Sequence, residues 1–236
     1  MFFYKIGLVN VYKFGNMTSF VKSKSEVKSL FSTAYFPPIS YFLYLGMGES
    51  HQLEQFENYI KQSYRNRAII YGANGPMSLT VPVVKKSNSK TLVSEILIGY
   101  DEDWQAQHWK SICSAYLSSP FFEYYKDDLF VFFSKRYEKL FDLNFDILMY
   151  FLDVLDFKTN LVRTSEFVKD VEGFVDRRNS IHPKKVDPIV EKQLAYWQVF
   201  SDQYGFQSNL SILDLLCNEG PNAENYLKKC LKEIKL

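Results

Sequence analysis

Along residues 27–100 the apolar positions come in short runs set between turn residues, and from about residue 101 they recur with a helical period. Residues 27–35 are β-branched and aromatic and read as a first buried strand. Pro37-Pro38 follows, a pair that cannot continue a ladder but can open a helix. A short aromatic helix over 39–45 is expected next, stopped by Gly46 and Gly48, and 51–56 reads as a second strand. Residues 67–71 and 77–84 form a hairpin around Gly72-Ala73-Asn74-Gly75-Pro76, where Asn-Gly supplies the positive φ of a tight connection. Beyond a polar loop at 85–90, the alternation of 92–100 predicts another strand.

The second half reads as helices over 101–120, 121–136 and 142–157. In the last of these Asp142, Asp146, Asp153 and Asp156 share a face while Ile147, Leu148, Phe151 and Leu155 fill the others, the pattern of a solvated acidic side over an apolar one. Residues 170–187 read as a polar connector, 191–203 and 209–217 as helices, and Pro221 as the start of a terminal helix to about 235. The expectation is a mixed α/β fold: an N-terminal mixed sheet of four or five strands covered by a mainly helical C-terminal half. Residues 1–16 are set aside as a disordered lead or an upstream extension, with an edge strand over 6–12 as the alternative, and 17–236 as one domain.

Composition narrows the classes of function. The 236 residues carry 28 Lys plus Arg against 27 Asp plus Glu, which removes the basic excess expected of a nucleic-acid partner. The 21 Phe and 17 Tyr are too many to leave on a monomer's surface, so most of the chain must fold around a core. Cys113, Cys217 and Cys230 form neither a disulfide framework nor a zinc spacing, and fit a reducing cytoplasm. The apolar stretch between Lys5 and Lys13 is broken by Gly7 and Asn10 and precedes no cleavage site, and the richest later run, 147–155, is interrupted by Asp153. The chain therefore reads as cytoplasmic, without a membrane span.

Two clusters have the composition of a site. In Lys61-Gln62-Ser63-Tyr64-Arg65-Asn66-Arg67, an extended backbone would place Arg65 and Arg67 on the same side about 7 Å apart, suiting a diphosphate or carboxylate, with Asn66 and Tyr64 for neighbouring hydroxyls. A helical backbone would instead pair Lys61 with Arg65 on one face, and the plainer alternative is a set of surface cations paired to Glu54 and Glu57. In Trp104-x-x-x-His108-Trp109-x-x-x-Cys113, a helix stacks Trp104, His108 and Ile112, so His108 would be desolvated and neutral near pH 7, as a general base requires. The plainer alternative is a core histidine bonded to a backbone carbonyl. Metal spacings, a phosphate-binding glycine loop and a G-x-S-x-G elbow are missing, so no cofactor or metal is expected.

Taken in order, several segments resemble the WbqC-like protein family: residues 32–42 with Tyr35, Pro37-Pro38 and Tyr41; Glu54-x-x-Glu57-x-Tyr59-x-Lys61 through Arg67; Ala73-Asn74-Gly75 with 79–83; Trp104-x-x-x-His108-Trp109; 114–116 and 119–122; Tyr196-x-Gln198; and 210–216 with 218–221. The resemblance covers the chain from about residue 30 onward, and departs at Cys217, where a bulky aromatic is expected. It implies a role among proteins of surface polysaccharide assembly, with the leading expectation a cytoplasmic transferase acting on an anionic, nucleotide-linked sugar. His108 would then be the base, Arg65 and Arg67 would bind phosphates beside Asn66, and Tyr35, Tyr41 and Tyr64 would line the pocket. The competing expectation is a non-catalytic binding or assembly protein of the same pathway.

Overall fold

A computed structural model describes residues 27–84, 90–169 and 171–234. The expectations for 1–16 and for most of the 85–90 loop lie outside these residues. Strand β1 (Ser29–Ser32) pairs in parallel with β2 (Ser50–Glu54) on one side and β6 (Val175–Asp176) on the other, and β2 pairs in parallel with β5 (Asn160–Arg163). The sheet order is β5-β2-β1-β6, so all four strands end at the same edge. From β1 the chain moves outward to β2, while β6 joins on the opposite flank. The crevice beyond Ser32 and Asp176 is thus a topological switch point, the place where parallel sheets leave room for a ligand.

Helix α1 (Ile39–Leu45) makes the β1–β2 crossover and is buried along its whole length. Its first turn has no side-chain cap of its own; the 209–211 segment serves instead, Ile39 N donating to Leu210 O at 3.0 Å and Ser40 N to Asn209 Oδ1 at 2.9 Å. The turn feeding it is strained. Phe36 holds φ 39 immediately before Pro37, a conformation unfavourable for a bulky residue, and its ring is clamped by Phe132, Phe133 and Phe151.

The expected hairpin is present as β3 (Arg67–Gly72) and β4 (Gly75–Thr80), with Gly75 at φ 100. It forms its own two-stranded antiparallel sheet. Helices α2 (Trp104–Tyr116), α3 (Phe122–Ser134) and α4 (Leu140–Val154) follow, and Asp103 caps α2 by accepting from Ala106 N. The acidic residues of 142–156 lie on the outer side, as their spacing requires.

Three expectations are corrected. Residues 92–100 are not a strand. Val93–Glu95 is a 3-10 turn, and the backbone around it bonds singly to Glu57 O, Pro82 O and Glu138 O instead of building a ladder with one neighbour. Residues 191–203 are not a helix. A 3-10 turn at Val190–Lys192 leads into an extended arm, and only α5 (Ser201–Tyr204) is helical. Gln198 holds the arm by donating to Gln207 O and accepting from Gln207 N, so its amide acts as a strand partner in place of backbone. Finally, two strands of the parallel sheet come from 160–176, including part of the presumed connector.

Helices α6 (Ile212–Glu219) and α7 (Ala223–Ile234) close the fold against α1. The arm and α6 share a buried polar cluster in which Asp214 accepts from Tyr196 Oη and from Gln198 Nε2 at 3.0 Å. Burial pushes the Asp214 carboxyl up to about 6, against the pull of these donors. Among the described residues, no helix is long and apolar enough to cross a membrane.

Candidate functional site

The loops leaving the C-terminal edge of the parallel sheet are tied together by buried charge. Glu54, at the end of β2, is fully buried and accepts from Phe56 N and Thr164 Oγ1 through one oxygen, and from Val168 N and Arg178 Nη1 through the other. Arg178, just past β6, also grips Asp176 with Nε at 3.0 Å and Nη2 at 2.7 Å, holding the Asp176 carboxyl below its ordinary range. Glu57 receives both forks of Arg65, Nε at 2.8 Å and Nη2 at 2.6 Å. Arg65 Nη2 also donates to Ser32 Oγ at 2.7 Å, and that hydroxyl donates to Arg178 O at 3.0 Å. The ends of β1, β2, β5 and β6 therefore meet in one network.

Above this network lies a small cleft lined by Ser32, Thr33, Ala34, Tyr41, Tyr64, Arg65, Arg177, Arg178 and Ile181. Its free space is about 10 Å³, room for one water. Tyr64 is shared with a second, wider cleft of about 310 Å³ whose wall includes His182, Lys185, Asp187, Gln207 and Asn209. That volume is at the lower end for a small-molecule site. The cations come largely from one loop, 177–185, which contains Arg177, Arg178, His182, Lys184 and Lys185. Arg178 is neutralised by its carboxylates, but Arg177 stacks on the Tyr44 ring, 4.0 Å from its centroid, and makes no ion pair among the described residues. Burial and the charges of Lys185, Arg65 and Lys184 hold the His182 imidazole below its ordinary range, so it is neutral at pH 7.

The residues anticipated from sequence divide between this cleft and the core behind it. Tyr41 and Tyr64 line the small cleft, and burial pushes the Tyr64 phenol up to about 12. Arg65 lines it too, but is only 3% exposed and locked to Glu57; the pairing with Glu57 is the plainer of the sequence readings, moved into the interior. Residues 61–66 are neither strand nor helix but a run of turns with Gln62 at φ 56, so two-residue alternation does not relate Arg65 to Arg67. Arg67 begins β3, is half-buried and does not line the small cleft. Asn66 donates to Val81 O at 2.9 Å and fastens the hairpin.

Tyr35 and His108 meet in the core. Tyr35 is fully buried and its phenol, pushed well up by burial, donates to His108 Nδ1 at 3.0 Å. The imidazole is 7% exposed between Tyr35 and Trp104 and lies against the Thr80 backbone. Neither residue lines the small cleft. Burial lowers the His108 value to about 4, the Thr80 backbone pulling slightly the other way. Between about pH 6.5 and 4 the unfolded chain thus carries a proton here that the folded chain refuses, and acidification across that window should cost about 3 kcal/mol of stability. Asp214 has the opposite sign, its raised value giving stability that is lost as pH rises from about 4 through 6. We expect denaturant titrations across pH 4–7 to show His108→Gln gaining stability relative to the parent on acidification, and Asp214→Asn losing it. Parallel profiles would show that neither group titrates as its surroundings dictate.

Residues 177–191 were the part of the site hidden in the sequence. The signal was present as Arg177-Arg178 and Lys184-Lys185 around His182, but basic pairs in a polar stretch look like an ordinary solvated connector. Only β6, a two-residue strand, brings the loop to the crevice. Among the described residues, no group of three or more metal-ligating side chains is assembled.

The chain is 25% identical over 221 residues to the Mycobacterium tuberculosis protein Rv1507c, described only as uncharacterized, a similarity spanning 83% of this chain and 95% of the relative. No solved structure matches. The WbqC-like protein family matches over residues 33–185, a span that opens at the end of β1, includes the strained turn, the Glu57–Arg65 pair and His108, and ends with the cationic loop. The chain belongs to the WbqC-like protein family.

Proposed function

We propose that the wider cleft, which shares Tyr64 with the switch-point crevice, binds an anionic, nucleotide-linked sugar and that the protein is a cytoplasmic transferase of surface polysaccharide assembly. The observation that carries the binding is the coincidence of the switch-point crevice with the cationic loop 177–185, in which Arg177 is free of any carboxylate among the described residues. The substrate class comes from the family resemblance. In this reading Arg177 and Lys185 take the phosphates, Tyr41 and Tyr64 form the wall, and the buried Glu57–Arg65 pair fixes that wall. Neutral His182 lines the wider cleft, and because its Nδ1 accepts from Lys184 N at 3.1 Å its Nε2 carries the proton and serves as a hydrogen-bond donor, while His108 positions Tyr35 and the turn behind it. Arginine can stabilise charge on a leaving phosphate without a metal.

One observation favours the second reading, a non-catalytic binding or assembly protein: His108 and Arg67, two members of the expected chemical set, do not line the small cleft. Thermal melting against nucleotide sugars, followed by product analysis, separates the readings. A ligand at 100 times its Kd should add about 2.7 kcal/mol of stability, and Arg177→Ala should remove most of that gain. Turnover of the bound compound supports the transferase; binding without turnover of any acceptor supports the assembly protein; no stabilisation by any nucleotide sugar defeats the transferase reading.

A further inference from the structure

We propose that Asp187 is the specificity residue of the wider cleft and that it takes a ligand hydroxyl, so that the site selects a polyhydroxylated molecule over a bare anion. This rests on the reading of the cleft as the ligand site and names what that site recognises. Asp187 lines the cleft yet is only 7% exposed. Its Oδ1 is occupied, accepting from Tyr44 Oη at 2.6 Å and from Ile189 N at 3.2 Å. Its Oδ2 is buried and has no hydrogen-bond partner among the described residues. Leaving a buried acceptor unpaired costs about 1–3 kcal/mol and more when it is charged, and the two donors on Oδ1 keep the carboxylate from turning away to solve the problem.

The neighbouring cations do not meet this need within the protein. Arg177 lies over the Tyr44 ring and makes no ion pair with Asp187, while Lys185 Nζ is engaged by Asn179 O. A phosphate would be repelled by Asp187 and drawn instead toward Arg177. A hydroxyl is suited to Asp187, because it donates a charge-assisted hydrogen bond without bringing charge of its own. The same wall carries Gln207, Ser208 and Asn209, neutral polar groups of the kind that meet further hydroxyls. The ligand thus lies in the wider cleft with its polyol part at Asp187 and its anionic part toward the cationic loop.

The test is calorimetric titration of the full chain with UDP-glucose and with inorganic pyrophosphate. For the parent protein, UDP-glucose should bind more tightly than pyrophosphate. Asp187→Asn should weaken UDP-glucose about tenfold or more while leaving pyrophosphate no weaker than in the parent, because the hydroxyl contact is lost and a charge that repels the anion is removed. Tyr44→Phe, which keeps the carboxylate but removes one donor that fixes it, should lose a smaller part of the same preference and serves if Asp187→Asn fails to fold. Equal weakening of both probes would make Asp187 structural, and unchanged affinity for both would remove it from recognition; either overturns the proposal while the cleft keeps its role. Failure of the parent to bind either probe would overturn the reading of the cleft and this inference with it.

Discussion

Arg65→Ala should lower the free energy of unfolding by about 3–5 kcal/mol, the largest single-residue effect expected in this protein. Arg65 and Glu57 are 3% and 6% exposed and joined through two short hydrogen bonds. Removing the guanidinium leaves the Glu57 carboxylate buried with its main partner gone, and strips Ser32 Oγ of a donor. The same logic makes the double replacement Arg65→Met with Glu57→Leu much milder than either polar member's loss, since two buried charges disappear together. Chemical denaturation of the single and double variants checks this. A cost below about 1 kcal/mol for Arg65→Ala would show that the pair is open to water, as surface pairs are.

Gly220→Ala should cost about 3 kcal/mol or more and should act on the closing helices without touching the cleft. Gly220 ends α6 with φ 52 and ψ −125, a backbone that side chains avoid, and a Cβ there would stand 2.4 Å from the Phe121 ring. Phe121 is itself fastened by its N–H donating to Cys217 O at 3.0 Å, so it cannot retreat freely. The expected result is a large fall in melting temperature with ligand affinity unchanged in the fraction that remains folded. Near-parental melting would mean that the α6–α7 corner relaxes to accept the methyl group.

The sequence was most readable where the chemistry of a turn or a helix is local. Pro37-Pro38 marked the start of α1, Gly46 its end, and Asn74-Gly75 the hairpin, because each residue's backbone preference acts on its own position. The departures came where tertiary partners decide. Residues 92–100 alternate like a strand, yet their backbone groups are divided among three neighbouring segments. Residues 191–203 carry a helical spacing, but Gln198 and Gln193 bond the backbone of residues 207 and 209 and hold the arm extended. The site was legible in part for the same reason. Tyr41, Tyr64 and Arg65 stand in a motif near the first crossover, whereas Arg177, His182 and Asp187 are more than 110 residues further on and reach the crevice through a two-residue strand. Spacing also could not distinguish a base from a core histidine at position 108, since burial and neutrality follow from either.

Hydrogen exchange with and without a saturating nucleotide sugar locates the ligand site on the chain. Slowed exchange is expected only at residues 33–36, 62–65, 177–191 and 207–210, the segments that border the two clefts. A different cationic groove, about 580 Å³ and lined by Lys228, Lys229 and Lys232 of α7 with Asn222 and Asn225, provides the internal comparison. Protection in that groove with none around 177–191, or no protection anywhere, would contradict the assignment of the switch-point crevice as the ligand site.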